Sequence, residues 1–164
     1  MNPKIEKAIN EQINAEFYSS YLYLSMAAYF DSQNLSGFAS WMKVQAHEEI
    51  THAMKFYNFV FSRGGDVELT QIDKPSSDFK SGLDAAEQTL AHEQEVTSLI
   101  NKLYELALAE KDYPTQSLLK WYIDEQVEEE ENATKLIERI KIVGDKGPNI
   151  LMLDRELSMR KFKD

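Results

Sequence analysis

The chain has 164 residues, no cysteine, and a formal net charge of −10 from 28 acidic and 18 basic side chains. Its length fits one domain over residues 1–164, and a hydrophobic share of 43% excludes a disordered chain. The lack of cysteine excludes disulfides, thiolate zinc sites, iron–sulfur clusters and cysteine catalysis. The acidic balance, with a pI near 4.8, argues against binding of nucleic acid or an anionic membrane. With no long apolar run and no apolar leader stretch, a cytoplasmic location is expected.

Glycine and proline are few and bound long stretches that contain neither, which marks helix ends rather than strand turns. A first helix is expected over about residues 4–33, with Ile9, Ile13, Glu16, Ser20, Tyr23 and Ala27 on its core stripe. After a short turn around Asn34, a second helix over about 37–63 carries Phe38, Met42, Gln45, Glu49, His52, Phe56 and Phe59. A third over about 80–111 carries Leu83, Ala86, Leu90, Glu93, Thr97, Ile100, Tyr104 and Ala107. A fourth over about 114–143, with Pro114 in its first turn, carries Leu119, Tyr122, Gln126, Glu129, Ala133, Leu136, Ile140 and Val143. A short fifth helix is expected over about 149–160, and its Ile150, Leu151, Leu153 and Leu157 are too apolar for a free tail.

The connections set the topology. The short first and third links make antiparallel pairs. The second link, over about residues 64–79, is long. A helix of ~27 residues is ~40 Å long and ~16 extended residues reach ~50 Å, so this link can cross the whole bundle. The second and third helices are then parallel. The expected class is all-α, a four-helix bundle with one long crossover and a short fifth C-terminal helix, against an ordinary up-down bundle with a loose loop.

All four long stripes are interrupted by Glu, Gln or His within ~5 Å of the helix middle, so these side chains meet in one layer. Any one of them alone reads as a boundary residue whose head reaches water, and Glu49 with His52 three residues later is weak evidence by itself. Together they point elsewhere. Glu16, Glu49, Glu93 and Glu129 cannot share a dry layer while ionised without cations, and no Lys or Arg lies on the stripes near that level. Two divalent metals would cancel the four charges. A carboxylate-rich set with one imidazole suits iron or manganese. Glu49 can bridge two ions, Glu16 and His52 complete one, and Glu93 with Gln126 or Glu129 the other. Mostly hard oxygen donors favour Fe(III) over Fe(II), which suits oxidation of ferrous iron with oxygen as acceptor.

The stretches NEQINAEFYSSYLYLSM around Glu16, QAHEEITHAMKF around Glu49 and His52, AHEQEV around Glu93 and WYIDEQVEEEE around Gln126 resemble the non-haem ferritin family, in order and with matching spacing. The resemblance covers nearly the whole chain. It implies the ferritin-like bundle and a ferroxidase centre at Glu16, Glu49, His52, Glu93 and Gln126, with Tyr23 and Trp121 as nearby electron donors. It also implies a third iron site at Glu48, Glu125, Glu128 and Glu129, and a homo-oligomeric shell of twenty-four subunits. Such a shell takes up Fe(II), oxidises it with oxygen or hydrogen peroxide, and stores a ferric mineral.

Departures from family relatives refine this. Gln126–x–x–Glu129 replaces a second Glu–x–x–His, which argues against bacterioferritin and related di-iron oxygenases. Ile50 stands where bacterioferritins bind haem through methionine, so no haem is expected. Gln116 and Leu119 stand where animal ferritins line a channel with acidic residues. Competing expectations are a discrete di-iron oxidase or peroxidase without storage, a DNA-protecting miniferritin, for which the RKFKD tail is short, and a purely structural bundle.

Overall fold

The computed structural model describes residues 1–162, and these form five helices and no strand: α1 (Pro3–Ser32), α2 (Ser36–Ser62), α3 (Gly82–Ala109), α4 (Tyr113–Val143) and α5 (Asn149–Leu157). Short polar side chains start three of the long helices. Asn2 accepts from the Lys4 amide at 2.9 Å, Ser81 from Asp84 at 3.1 Å, and Asp112 from Thr115 at 3.2 Å. Asp112 is itself gripped by Arg63 at 3.0 Å, which ties the end of α2 to the start of α4.

α2 has no such residue of its own, because Leu35 stands at its cap. The cap comes from α5 instead: Asp154 Oδ1 accepts from the Gly37 and Phe38 amides at 2.8 and 2.9 Å. Gly37 permits this docking, since a Cβ there would lie 1.7 Å from the Asp154 carbonyl oxygen.

The directions follow from the facing pairs. Ser19 meets His92 and Met26 meets Thr89, so α1 and α3 are antiparallel. Gln45 meets Glu129 and Phe56 stacks on Tyr122 at 4.0 Å, so α2 and α4 are antiparallel too. α2 and α3 are therefore parallel, as the long connection predicts. That connection climbs the outside of α1, where Asn10 donates to the Asp66 carbonyl at 3.0 Å, Asn14 to Gln71 at 3.0 Å and Ser25 to Ser76 at 2.6 Å. These bonds make it an ordered strap rather than a loose loop.

The apolar core is in two parts. One, nearest the α1–α2 turn, is built from Tyr23, Met26, Phe30, Phe38, Met42, Ala86 and Ile140 with Ile150, Leu153 and Leu157 of α5. The other, towards the α1 N-terminus, holds Ile5, Ile9, Ile13, Phe56, Val60, Ile100, Leu103, Leu119 and Tyr122.

Several sequence expectations change. α5 ends at Leu157 rather than 160, and α3 starts at Gly82 because Ser81 takes the cap. Of the four α5 side chains expected to pack, Ile150, Leu153 and Leu157 are buried within the subunit and Leu151 is exposed, as is Met152. Leu119 is fully buried in the second core cluster. Gln116 donates to the Ala107 carbonyl at 3.0 Å.

Asp154→Ala removes the α2 cap and the chief polar tie of α5. It is expected to cost about 1 kcal/mol of subunit stability, read from denaturant unfolding, with α5 more open to proteolysis.

Candidate metal centre

Between the two apolar clusters lies the polar layer. Glu16, Glu49, Glu93 and Glu129, one from each long helix, are all 4% exposed or less. α1 delivers Glu16 between Ile13 and Ser20, and α2 delivers Glu49 and His52 on one face through their three-residue spacing. His52 Nδ1 lies 3.2 Å from Glu49 Oε2.

Ligand atoms of Glu16, Glu49 and His52 all lie within 4.8 Å of one another, close enough to hold one ion. A second group of the same compactness joins His52, Glu125 and Glu129. Glu93 belongs to neither group, although its charge acts on both Glu49 and Glu129. Tyr23 donates its hydroxyl to Glu93 in a very close contact. Gln126 Nε2 donates to the Glu93 carboxylate at 3.2 Å and to its carbonyl at 3.1 Å. Gln126 thus fixes Glu93 here, and its amide oxygen is the atom it could offer an ion.

The layer is short of charge compensation and rich in neutral donors. Gln12 donates to Glu16 at 2.8 Å, and Gln45 donates to Glu129 at 2.6 Å and to Glu49 at 3.3 Å. Burial pushes Glu16 up to about 8, with the nearby Glu49 adding to it. Burial, with Glu93 beside it, pushes Glu129 up to about 8. Burial pushes Glu93 up to about 7 against the hydrogen bonds from Tyr23 and Gln126. Burial and the charges of Glu93 and Glu129 hold Glu49 well above the usual carboxylate range. Four carboxyls whose hold on their protons is strengthened by burial form a site that gains when a multivalent cation replaces those protons.

The acidic residues assigned to a third iron site surround a pocket of about 610 Å³ between α2, α4 and the C-terminal tail, lined by Glu48, Glu125, Glu128, Glu129 and His52. Trp121 also borders it, with its ring 5.4 Å from that of His52 and Lys55 Nζ 3.2 Å from the indole centroid. Glu48 forms an ion pair with Arg160. Sequence reasoning assigned no role to Gln12, Gln45 or Arg160. Gln12 and Gln45 each stand four residues before a ligand on the same face, which is a usable signal. Arg160 lies 112 positions from Glu48, and nothing local announces the contact.

The chain is similar to known proteins throughout. The ferritin-like domain pattern matches residues 6–143. A bacterial non-heme ferritin from Bacteroides fragilis is 41% identical over 160 residues, covering 98% of this chain and 99% of that protein. One from Staphylococcus saprophyticus is 38% identical over 164 residues, covering 100% and 98%. Among solved structures, an engineered closed form of the Archaeoglobus fulgidus ferritin superposes with a TM-score of 0.97 at 48% identity, covering 99% of each chain. The open-pore ferritin of the same archaeon superposes at 0.96 with 48% identity and 98% coverage of each. A four-helix bundle with a crossover and a carboxylate–histidine layer defines a ferritin-like protein. With these matches, the chain belongs to the ferritin family.

A carboxyl whose folded value exceeds its unfolded one holds its proton more tightly in the folded chain. Its stabilisation is complete at low pH and is lost as pH rises through the folded value. For Glu16 and Glu129 that loss runs from above the ordinary 4.5 up to about 8. The melting point of the metal-free protein should therefore fall as pH rises from about 6 to 8. Zn(II) should raise it more at the upper end, and calorimetry in buffers of different ionisation enthalpy should show proton release on binding below pH about 7.

Proposed function

We propose that the protein is an iron-storage ferritin whose 164 residues act as one domain and which oxidises Fe(II) in its own bundle. The observation that carries the reading is the joint placement of Glu16, Glu49 and His52 within ligand reach of one another in a fully buried layer. Iron is the substrate. Glu16, Glu49 and His52 receive one ferrous ion. Glu49, at the centre of the layer, is shared with a second ion held by Glu93 and Glu129, with the Gln126 oxygen as a further donor.

Hard carboxylate oxygens stabilise the ferric state over the ferrous, so binding itself favours oxidation. Four ferrous ions supply the electrons that, with four protons, reduce one dioxygen to two waters. With hydrogen peroxide, two ferrous ions and two protons suffice for two waters. Tyr23, bonded to Glu93, and Trp121, beside His52, are the proposed electron donors. A third cation position is assigned to Glu48, Glu125, Glu128 and Glu129, with His52 at its edge.

The product is proposed to collect as ferric oxyhydroxide inside a homo-oligomeric shell, of twenty-four subunits as in the family pattern, in the cytoplasm. Support for assembly comes from Ile142, Leu151 and Met152, large apolar side chains left 82%, 58% and 74% exposed at the α4–α5 corner. No helix among the described residues is long and apolar enough to cross a membrane. The reading includes no haem and no nucleic-acid partner.

Glu49→Ala is expected to abolish the rapid phase of aerobic Fe(II) oxidation in stopped-flow absorbance while leaving helix content intact. Wild-type protein should retain iron far beyond the stoichiometry of its sites. Retention limited to the sites themselves would point to a discrete di-iron oxidase. Replacing Glu125 and Glu128 together with Gln should lower the ions bound at saturation from about three per chain to about two.

A further inference from the structure

Residues 158–162 do not trail away from the bundle. Asp154 and Leu157 dock α5 along the start of α2, and the next turn brings Arg160 into the pocket beside the metal layer. Its guanidinium has three partners. Nη1 donates to Gln45 Oε1 at 2.8 Å, Nη2 donates to Glu48 Oε2, and the group lies 4.4 Å over the Trp41 ring. Phe162 packs its ring edge-on to His47 at 4.0 Å and holds the same segment down.

These contacts reach the buried carboxylates in one further step. Gln45 accepts from Arg160 through its oxygen, so its NH2 must face inward, where it donates to Glu129 and Glu49. Arg160 therefore sets the orientation of that amide. It also occupies Glu48, one of the acids of the third cation position, with a charge that cannot be titrated away. Arg139 and Lys161 line the same pocket, but Arg139 is paired with Glu156. Among the described residues, Arg160 is the cation bonded to both Gln45 and Glu48.

We propose that Arg160 is a tethered cation that competes with metal ions for Glu48 and so determines which ions fill the third position, and how tightly. The inference rests on the third position assigned above. A guanidinium on a short tether acts at high effective concentration, so an ion must displace it to recruit Glu48. An ion that binds carboxylates weakly and gives up its water shell reluctantly, such as Mg(II), needs Glu48 to hold the position but has too little affinity to displace the guanidinium from it. An ion with strong affinity for carboxylate and imidazole together, such as Fe(II) or Zn(II), displaces the arginine. Abundant weak ions are thereby kept from a position that borders His52 and Glu129.

The test uses the full-length, metal-free protein and redox-inert Zn(II), with Mg(II) as the weak competitor. If the guanidinium releases Glu48 about one-tenth of the time, Arg160→Ala should tighten the third Zn(II) about tenfold. The first two Zn(II) should change less than the third, because Arg160 reaches their ligands only through Gln45. Mg(II) should enter the third position, and Arg160→Lys should fall between. Trp41 and Trp121 are the two tryptophans of the chain. In a Trp121→Phe background, the third Zn(II) should therefore shift Trp41 emission as Arg160 leaves the ring, and Arg160→Ala should lack the shift. A third Zn(II) of equal affinity in wild type, Arg160→Ala and Arg160→Lys overturns the competition and leaves the third position standing. Two Zn(II) at saturation in all three overturns the third position itself, and the competition with it.

Discussion

Four carboxylates confined to one buried layer are the constraint to which the rest of this structure answers. Their lost hydration, and their mutual repulsion as they ionise, oppose folding in the metal-free chain. The protein meets that cost with one neutral donor or more for each acid: Gln12 for Glu16, Gln45 for Glu49 and Glu129, and Tyr23 and Gln126 for Glu93. Each donor is itself buried and on a core stripe or beside it. The donors hold the oxygens in place without cancelling their charge, so the affinity for a multivalent ion is preserved.

The apolar clusters on either side supply what the layer lacks. Each closes one half of the bundle with aromatic and branched side chains, and burial of this kind is the main favourable contribution to folding. Their separation keeps the polar layer away from both ends. The helix ends then hold the register of the layer along the axis. The Arg63–Asp112 pair fixes α2 to α4 at one end, and Asp154 fixes α5 to α2 at the other. A slip of either contact would move ligands on one helix past those on the next.

Docking of α5 links storage architecture to site chemistry within one subunit. It buries three apolar residues against the bundle, leaves the α4–α5 corner apolar outside, and delivers the tail to the acidic pocket. The same element thus serves the subunit core, offers a surface to a neighbouring subunit, and brings a guanidinium to Glu48.

Periodicity made most of the bundle legible. Every stripe residue assigned to α1 is buried, as are all but Phe59 of α2 and all but Val143 of α4. The α3 stripe is rotated: Leu83, Leu90 and Tyr104 are half-buried, while Ala85, Thr89, Val96 and Leu103 are inside. α3 packs against both α1 and α4. The four carboxylates and His52 were legible because helical spacing alone sets their face and height. The roles of Gln45 and Arg160 were not, because their partners lie on other helices or more than a hundred residues away. Local sequence determined which side chains face inward and at what level. Only tertiary packing decided which acid is bonded to which amide, and which is held by a cation, since those pairings depend on helices brought together by burial rather than by chain neighbours.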